Sequence, residues 1–128
     1  MKINVLGTEY TVEIRDASYE DFNDKLGWCD WQQKQIVICN LKTKEGWKGE
    51  PIKAIRYKEK EVLRHEIIHA FLYESGLHSN SNADCGQWAL NEEMIDWFAI
   101  QFPKLSKTFY EVEKILDGGW KFRWPKTP

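Results

Sequence analysis

The pentapeptide His65-Glu66-Ile67-Ile68-His69 carries the clearest chemistry in this chain. Residues at i and i+4 of an α-helix lie about 40° apart around its axis, so both imidazoles leave one face and converge on one point. Neutral imidazole nitrogens are zinc ligands, and a catalytic zinc keeps one position of its tetrahedron open for water. Glu66 sits beside that point, where a carboxylate can take a proton from the water. His65, Glu66 and His69 share an arc of roughly 100° when the helix is walked at about 100° per residue. Nearly everything else from Val62 to Tyr73 is apolar (Val62, Leu63, Ile67, Ile68, Ala70, Phe71, Leu72, Tyr73), and only Arg64 breaks the pattern. A helix apolar nearly all round is expected to be buried, and its polar residues must then find partners. Two core histidines satisfied by hydrogen bonds are the plain alternative; two histidines and a glutamate together call for a metal.

Two histidines do not hold zinc tightly, so a third ligand is needed. The remaining histidine, His78, falls in a loop after Gly76. The segment Asn91-Glu92-Glu93-Met94-Ile95-Asp96-Trp97-Phe98-Ala99 offers better groups. Glu92 and Asp96 are four apart and share a helix face. Ala89 and Ala99 would let two helices approach closely. Trp88, Leu90, Met94, Ile95, Trp97, Phe98 and Ile100 make this helix apolar all round as well, so burial of its acids is expected. One carboxylate on the metal and one on a ligating imidazole N–H would satisfy both. Glu93 is the rival ligand, because helix phase decides between adjacent acids.

His65-Glu66-x-x-His69, followed 23 residues after His69 by Asn91-Glu92-x-x-x-Asp96, resembles the gluzincin metallopeptidases, the group that includes thermolysin. The resemblance covers residues 55 to 102. It implies that Glu92 is the third zinc ligand and that Asp96 orients a ligating histidine. In size the chain is similar to minimal gluzincins and to small zincin-like proteins of phages and prophages, including the catalytic half of the ImmA/IrrE type. Larger gluzincins place a histidine or tyrosine downstream to stabilise the oxyanion. No histidine follows His78 here, which leaves Tyr73, at the edge of the polar arc, and Tyr110 as candidate donors. The implied activity is zinc-dependent hydrolysis of a peptide bond, with Glu66 as base. The alternative is a zinc-binding interaction or regulatory module that cleaves little. A peptide or protein substrate would lie extended along an edge strand. Gln35–Asn40, just upstream of the motif helix, is the expected strand.

The elements around these residues follow from period and punctuation. Ile3 and Val5, then Tyr10, Val12 and Ile14, alternate with polar residues on either side of Gly7-Thr8, which predicts a β-hairpin. Asp16 to Leu26 reads as a loop or short helix. Trp28 to Asn40 reads as a second strand pair turning at Gln32-Gln33-Lys34, β-branched around Ile36-Val37-Ile38. Leu41 to Glu50 reads as a loop. From Lys42 to Glu61 seven basic residues face four acidic ones, an excess read as a solvated face. The motif helix should start between Ile52 and Ile55 and end at Gly76. A second helix should run from Gln87 to Phe102 and stop at Pro103. A third should span Lys104 to Leu116, before Gly118-Gly119 and an aromatic, basic tail from Trp120 to Pro128 that packs loosely. The expected fold is α+β: one small zincin-like domain over residues 1–128, with a three- to four-stranded, mostly antiparallel sheet packed on the motif helix, a second buried helix and a C-terminal helix.

At 128 residues the chain is long enough for one real core. A net charge of −2 supplies no field that would recruit nucleic acid. Cys29, Cys39 and Cys85 are odd in number and lack CxxC spacing, so reduced thiols in a cytoplasm are expected rather than a disulfide framework. Met1 to Val5 holds no apolar signal region, and no run approaches the ~20 apolar residues that span a bilayer. The partners expected are therefore substrate alone, without nucleic acid or membrane, on a monomer or weak homodimer.

Overall fold

The computed structural model describes residues 1–19, 22–80 and 87–117. Strands β1 (Lys2–Val5) and β2 (Thr8–Asp16) form the predicted hairpin. Leu6 and Gly7 turn it with φ of 50° and 91°, the paired left-handed conformation that suits a two-residue hairpin loop. Asn4 Oδ1 accepts the Gly7 N–H at 2.8 Å. Strands β3 (Gly27–Asp30) and β4 (Gln35–Asn40) form the second hairpin, with Gly27 opposite Ile38 and Asp30 opposite Gln35. Its turn is tied by Asp30 Oδ1, which accepts the N–H groups of Gln32 and Gln33, each at 3.0 Å.

The sheet is mixed, in the order β1-β2-β4-β3, with β2 and β4 parallel and the other two pairs antiparallel. The parallel pair departs from the mostly antiparallel expectation. It arises because the chain leaves β2 and does not turn straight back; it returns through β3, so β4 comes to lie beside β2 in the same direction. β4 is consequently central, and the expectation that Gln35–Asn40 is an edge strand is wrong. Its continuous apolar run is the mark of a strand buried on both faces. Ile36 and Ile38 pack with Val5, Tyr10, Val12 and Ala70, while Val37 and Cys39 pack with Phe22, Leu41 and Ile55.

Helix α1 (Ile52–Glu74) begins after Pro51 and ends as predicted: Gly76, at φ 86°, donates its N–H to the Tyr73 carbonyl. It is not buried all round. Ala70 and Glu66 are covered, but Phe71 and Tyr57 face solvent, because the sheet and the second helix cover only part of its circumference. Glu59 does not belong to a solvated face. It is buried and accepts the Leu41 N–H and the Arg56 guanidinium, each at 3.1 Å, anchoring α1 to the end of β4.

Helix α2 (Glu92–Asp117) follows a short 3-10 turn at Trp88–Leu90 and is capped by Asn91, whose Oδ1 accepts the Met94 N–H at 2.8 Å. It runs straight through Pro103, so the predicted stop and the separate third helix are both corrected. A proline cannot supply the N–H that would bond the carbonyl four residues back, here Ala99. Arg64 supplies it instead: its Nε donates to the Ala99 carbonyl at 2.5 Å. The expected all-round burial of this helix also fails, since only Ile95 and Ala99 are buried, while Trp97, Ile100 and Phe102 are exposed. The Gly118-Gly119 stop, the tail from Trp120, and Cys85 lie outside the described residues. Among the described residues no helix is long and apolar enough to cross a membrane, and Cys29 and Cys39 are free thiols.

Candidate metal centre

α1 presents His65 and His69 on one face, and the N-terminus of α2 crosses in front of them. The two Nε2 atoms lie 3.1 Å apart. The Glu92 carboxylate reaches both, at 3.1 Å from His65 Nε2 and 3.2 Å from His69 Nε2. One ligand atom from each of the three residues can be chosen so that all lie within 4.8 Å of one another. Tetrahedral ligands at about 2.0–2.1 Å from a metal sit roughly 3.3–3.4 Å apart, so the donors are spaced to hold a metal ion.

Asp96 Oδ1 lies 2.7 Å from His65 Nδ1, which leaves Nε2 as the ring nitrogen that faces His69 and Glu92. Burial pushes the His69 pKa down and favours its neutral form. His69 Nδ1 is buried with no partner among the described residues, an orphaned donor if it carries the ring proton and an orphaned acceptor if it does not.

Glu66 stands next to this set, with Oε1 3.8 Å from His65 Nε2. It is 7 % exposed, and burial pushes its pKa up to about 7. An open cleft of about 250 Å³ runs past it, lined by Lys25, Leu26, Gly27, Lys58, Glu61, Val62, His65, Glu66 and Asp96. The far wall is thus the start of β3, an edge strand of the sheet. Gly27 is needed there, because a Cβ would meet the Val37 carbonyl oxygen at 2.9 Å and Val62 at 3.0 Å. Lys25 and Lys58 bring positive charge to the cleft. Lys58 is paired with Glu61 at 3.0 Å, whereas the Lys25 ammonium has no partner among the described residues. Sequence reasoning missed Lys25 because it lies in an irregular stretch with no periodicity to assign it a direction.

The structure therefore brings together His65, Glu66, His69, Glu92 and Asp96, and leaves the other candidates apart. Glu93 lines a groove with Asn91, Met94, Asp96, Trp97 and Ile100 and, unlike Glu92, forms no ion pair with His65 or His69. Tyr73 stacks on Trp31, with ring centroids 5.4 Å apart, and touches His78 edge-on at 5.5 Å. Its ring is held in that cluster rather than in the cleft, and His78 is held there with it. Tyr110 is 65 % exposed, and 18 residues of helical rise put it about 27 Å along the axis from Glu92, out of reach of the site. The Cys29 thiol is pushed up to about 12 by burial, which leaves it inert as a nucleophile. Comparison with protein-family models, with curated proteins and with solved structures finds no match.

Proposed function

We propose that this chain is a zinc-dependent peptide-bond hydrolase of zincin-like type. The observation that carries the reading is the convergence of His65, His69 and Glu92 on one point, with the Glu66 carboxylate beside it and the Asp96 carboxylate behind His65. A zinc ion held there would supply Lewis-acid polarisation of the scissile carbonyl and lower the pKa of a water toward 7. Glu66, beside the point where the three donors converge, would accept a proton from the attacking water and pass it to the leaving amine. Asp96 holds His65 in the tautomer that presents Nε2. β3, not β4, offers its free edge to an extended substrate. Lys25 is the unpaired cation on the cleft wall that can face negative charge developing on the carbonyl oxygen, the part for which Tyr73 and Tyr110 are misplaced.

The test is cleavage of unfolded casein by the zinc-loaded protein, alongside zinc stoichiometry. Wild type should cleave. Glu66→Ala should hold zinc fully and cleave nothing. His65→Ala, His69→Ala and Glu92→Ala should lose the metal. Equal inactivity of wild type and Glu66→Ala, both with zinc bound, would make the protein a binding module instead. Full zinc in Glu92→Ala would reject the third ligand.

A further inference from the structure

The face of α1 that carries His65 continues past the metal centre. At about 100° per residue, Ala54, Lys58, Glu61 and His65 fall within an arc of roughly 60°, so one stripe runs from the metal centre back to the start of the helix. Lys58 and Glu61 line the metal cleft on one side. On the other they line an open groove of about 630 Å³, whose walls include Trp47, Pro51, Ala54 and Tyr57. The Lys58–Glu61 pair is 3.0 Å apart and neutralises itself, so the passage between the two hollows carries no net charge. The outer walls are continuous as well. Leu26 of the cleft and Trp47 of the groove pack on one buried cluster, that of Phe22, Val37, Cys39, Leu41 and Ile55. Trp47 is thereby held in place, whereas Tyr57 and Ala54 stay exposed to solvent.

Apolar walls in a concave site gain from covering an apolar side chain. Tyr57 and Ala54 stand eight and eleven residues before His65, about 12 to 16 Å along the axis. An extended chain covers that span in about four to five residues at ~3.3 Å each. We propose that this groove is a specificity subsite for an aromatic or long aliphatic side chain of an extended peptide, about four to five residues from the bond cut at the metal centre. A peptide on the β3 edge passes Gly27 and Leu26 on its way there. The inference rests on the hydrolase reading above.

Two measurements separate the subsite from the hydrolase. In the first, fragments of unfolded casein cut by the zinc-loaded wild type are sequenced by mass spectrometry. An aromatic or long aliphatic residue should recur about four to five positions from the cut, on one side. Ala54→Glu sets a charge on the groove wall at an exposed position. It should keep the wild-type melting temperature, lose the preference, raise KM about tenfold and leave kcat unchanged. In the second, a fluorescein-labelled glycine–serine peptide with a single phenylalanine is titrated into zinc-loaded Glu66→Ala and followed by anisotropy. It should bind about tenfold more tightly than the same peptide with serine in that place, and Ala54→Glu added to Glu66→Ala should erase the difference. Cuts without apolar preference overturn the subsite and leave the hydrolase standing. Phenylalanine-dependent binding beside a wild type that cuts nothing upholds the subsite and removes the hydrolase. Binding indifferent to phenylalanine overturns the subsite. If Ala54→Glu instead breaks a dimer in sedimentation, the groove holds a second copy and the proposal fails.

Discussion

Asp96 acts one bond removed from the convergent donors. Its carboxylate accepts from His65 Nδ1 at 2.7 Å and so decides which lone pair the ring presents. Asp96→Ala should leave the fold intact and weaken metal affinity about 10–100-fold, the usual cost of losing such a support. Competition with a zinc chelator measures it, and unchanged affinity would remove Asp96 from the site. Glu74 makes a separate residue-scale case. It accepts from Lys34 at 2.6 Å, Tyr10 Oη at 2.7 Å and Thr8 at 3.1 Å, pinning the end of α1 to β2 and to the β3–β4 turn. The Lys34 hydrogen bond, then that from Tyr10, holds its pKa below the ordinary 4.5. A carboxylate with a folded pKa below its unfolded value contributes stability that is complete above the unfolded value and lost as pH falls through the folded one. Glu74→Gln should therefore lower the melting temperature most at neutral pH, and the gap to wild type should close below pH 4.5. A gap that stays constant with pH would mean that Glu74 acts by packing alone.

At the scale of elements, the junction of α1 and α2 turns on Arg64. It is the one residue that interrupts the apolar run of the motif helix, and it fills the acceptor that Pro103 leaves open at Ala99. Arg64→Met keeps most of the stem's bulk and removes the donor. With Ala99 buried, the cost should be about 1–3 kcal/mol, read from chemical denaturation. A neutral outcome would mean that water or a local shift satisfies the carbonyl. The same residue explains what the sequence could and could not disclose. The bounds of α1 were legible because Pro51 and Gly76 punctuate it. The stop at Pro103 was misread because the compensating donor lies 35 residues away in another helix. The five convergent site residues were legible because two helical spacings and one resemblance encode them. β4 advertised its central place in the unbroken run Ile36-Val37-Ile38-Cys39, which alternation rules for half-buried strands do not describe. That β3 walls the cleft depends on the parallel pairing of β2 with β4, a long-range choice with no local signature.

For the molecule as a whole, the sheet and α1 share two apolar clusters, whereas α2 joins them through few buried residues, chiefly Ile95 and Ala99. Glu92 and Asp96 add polar contacts to His65 and His69 at the same junction. The proposed zinc would thus bridge the strongest and the weakest parts of the fold. A ligand that binds only the folded state adds stability that grows with the logarithm of its concentration relative to its dissociation constant, about 4.1 kcal/mol at 1,000 times that constant. Stripping the metal with a chelator should lower the melting temperature of wild type and leave that of His69→Ala unchanged. Amide exchange should place the loss locally: protection should fall first in α2 from Glu92 to Phe102, while β2 and β4 keep theirs. If chelation leaves both the melting temperature and the α2 amides untouched, the convergence of His65, His69 and Glu92 is held by packing and hydrogen bonds alone, and no metal ties the helices together.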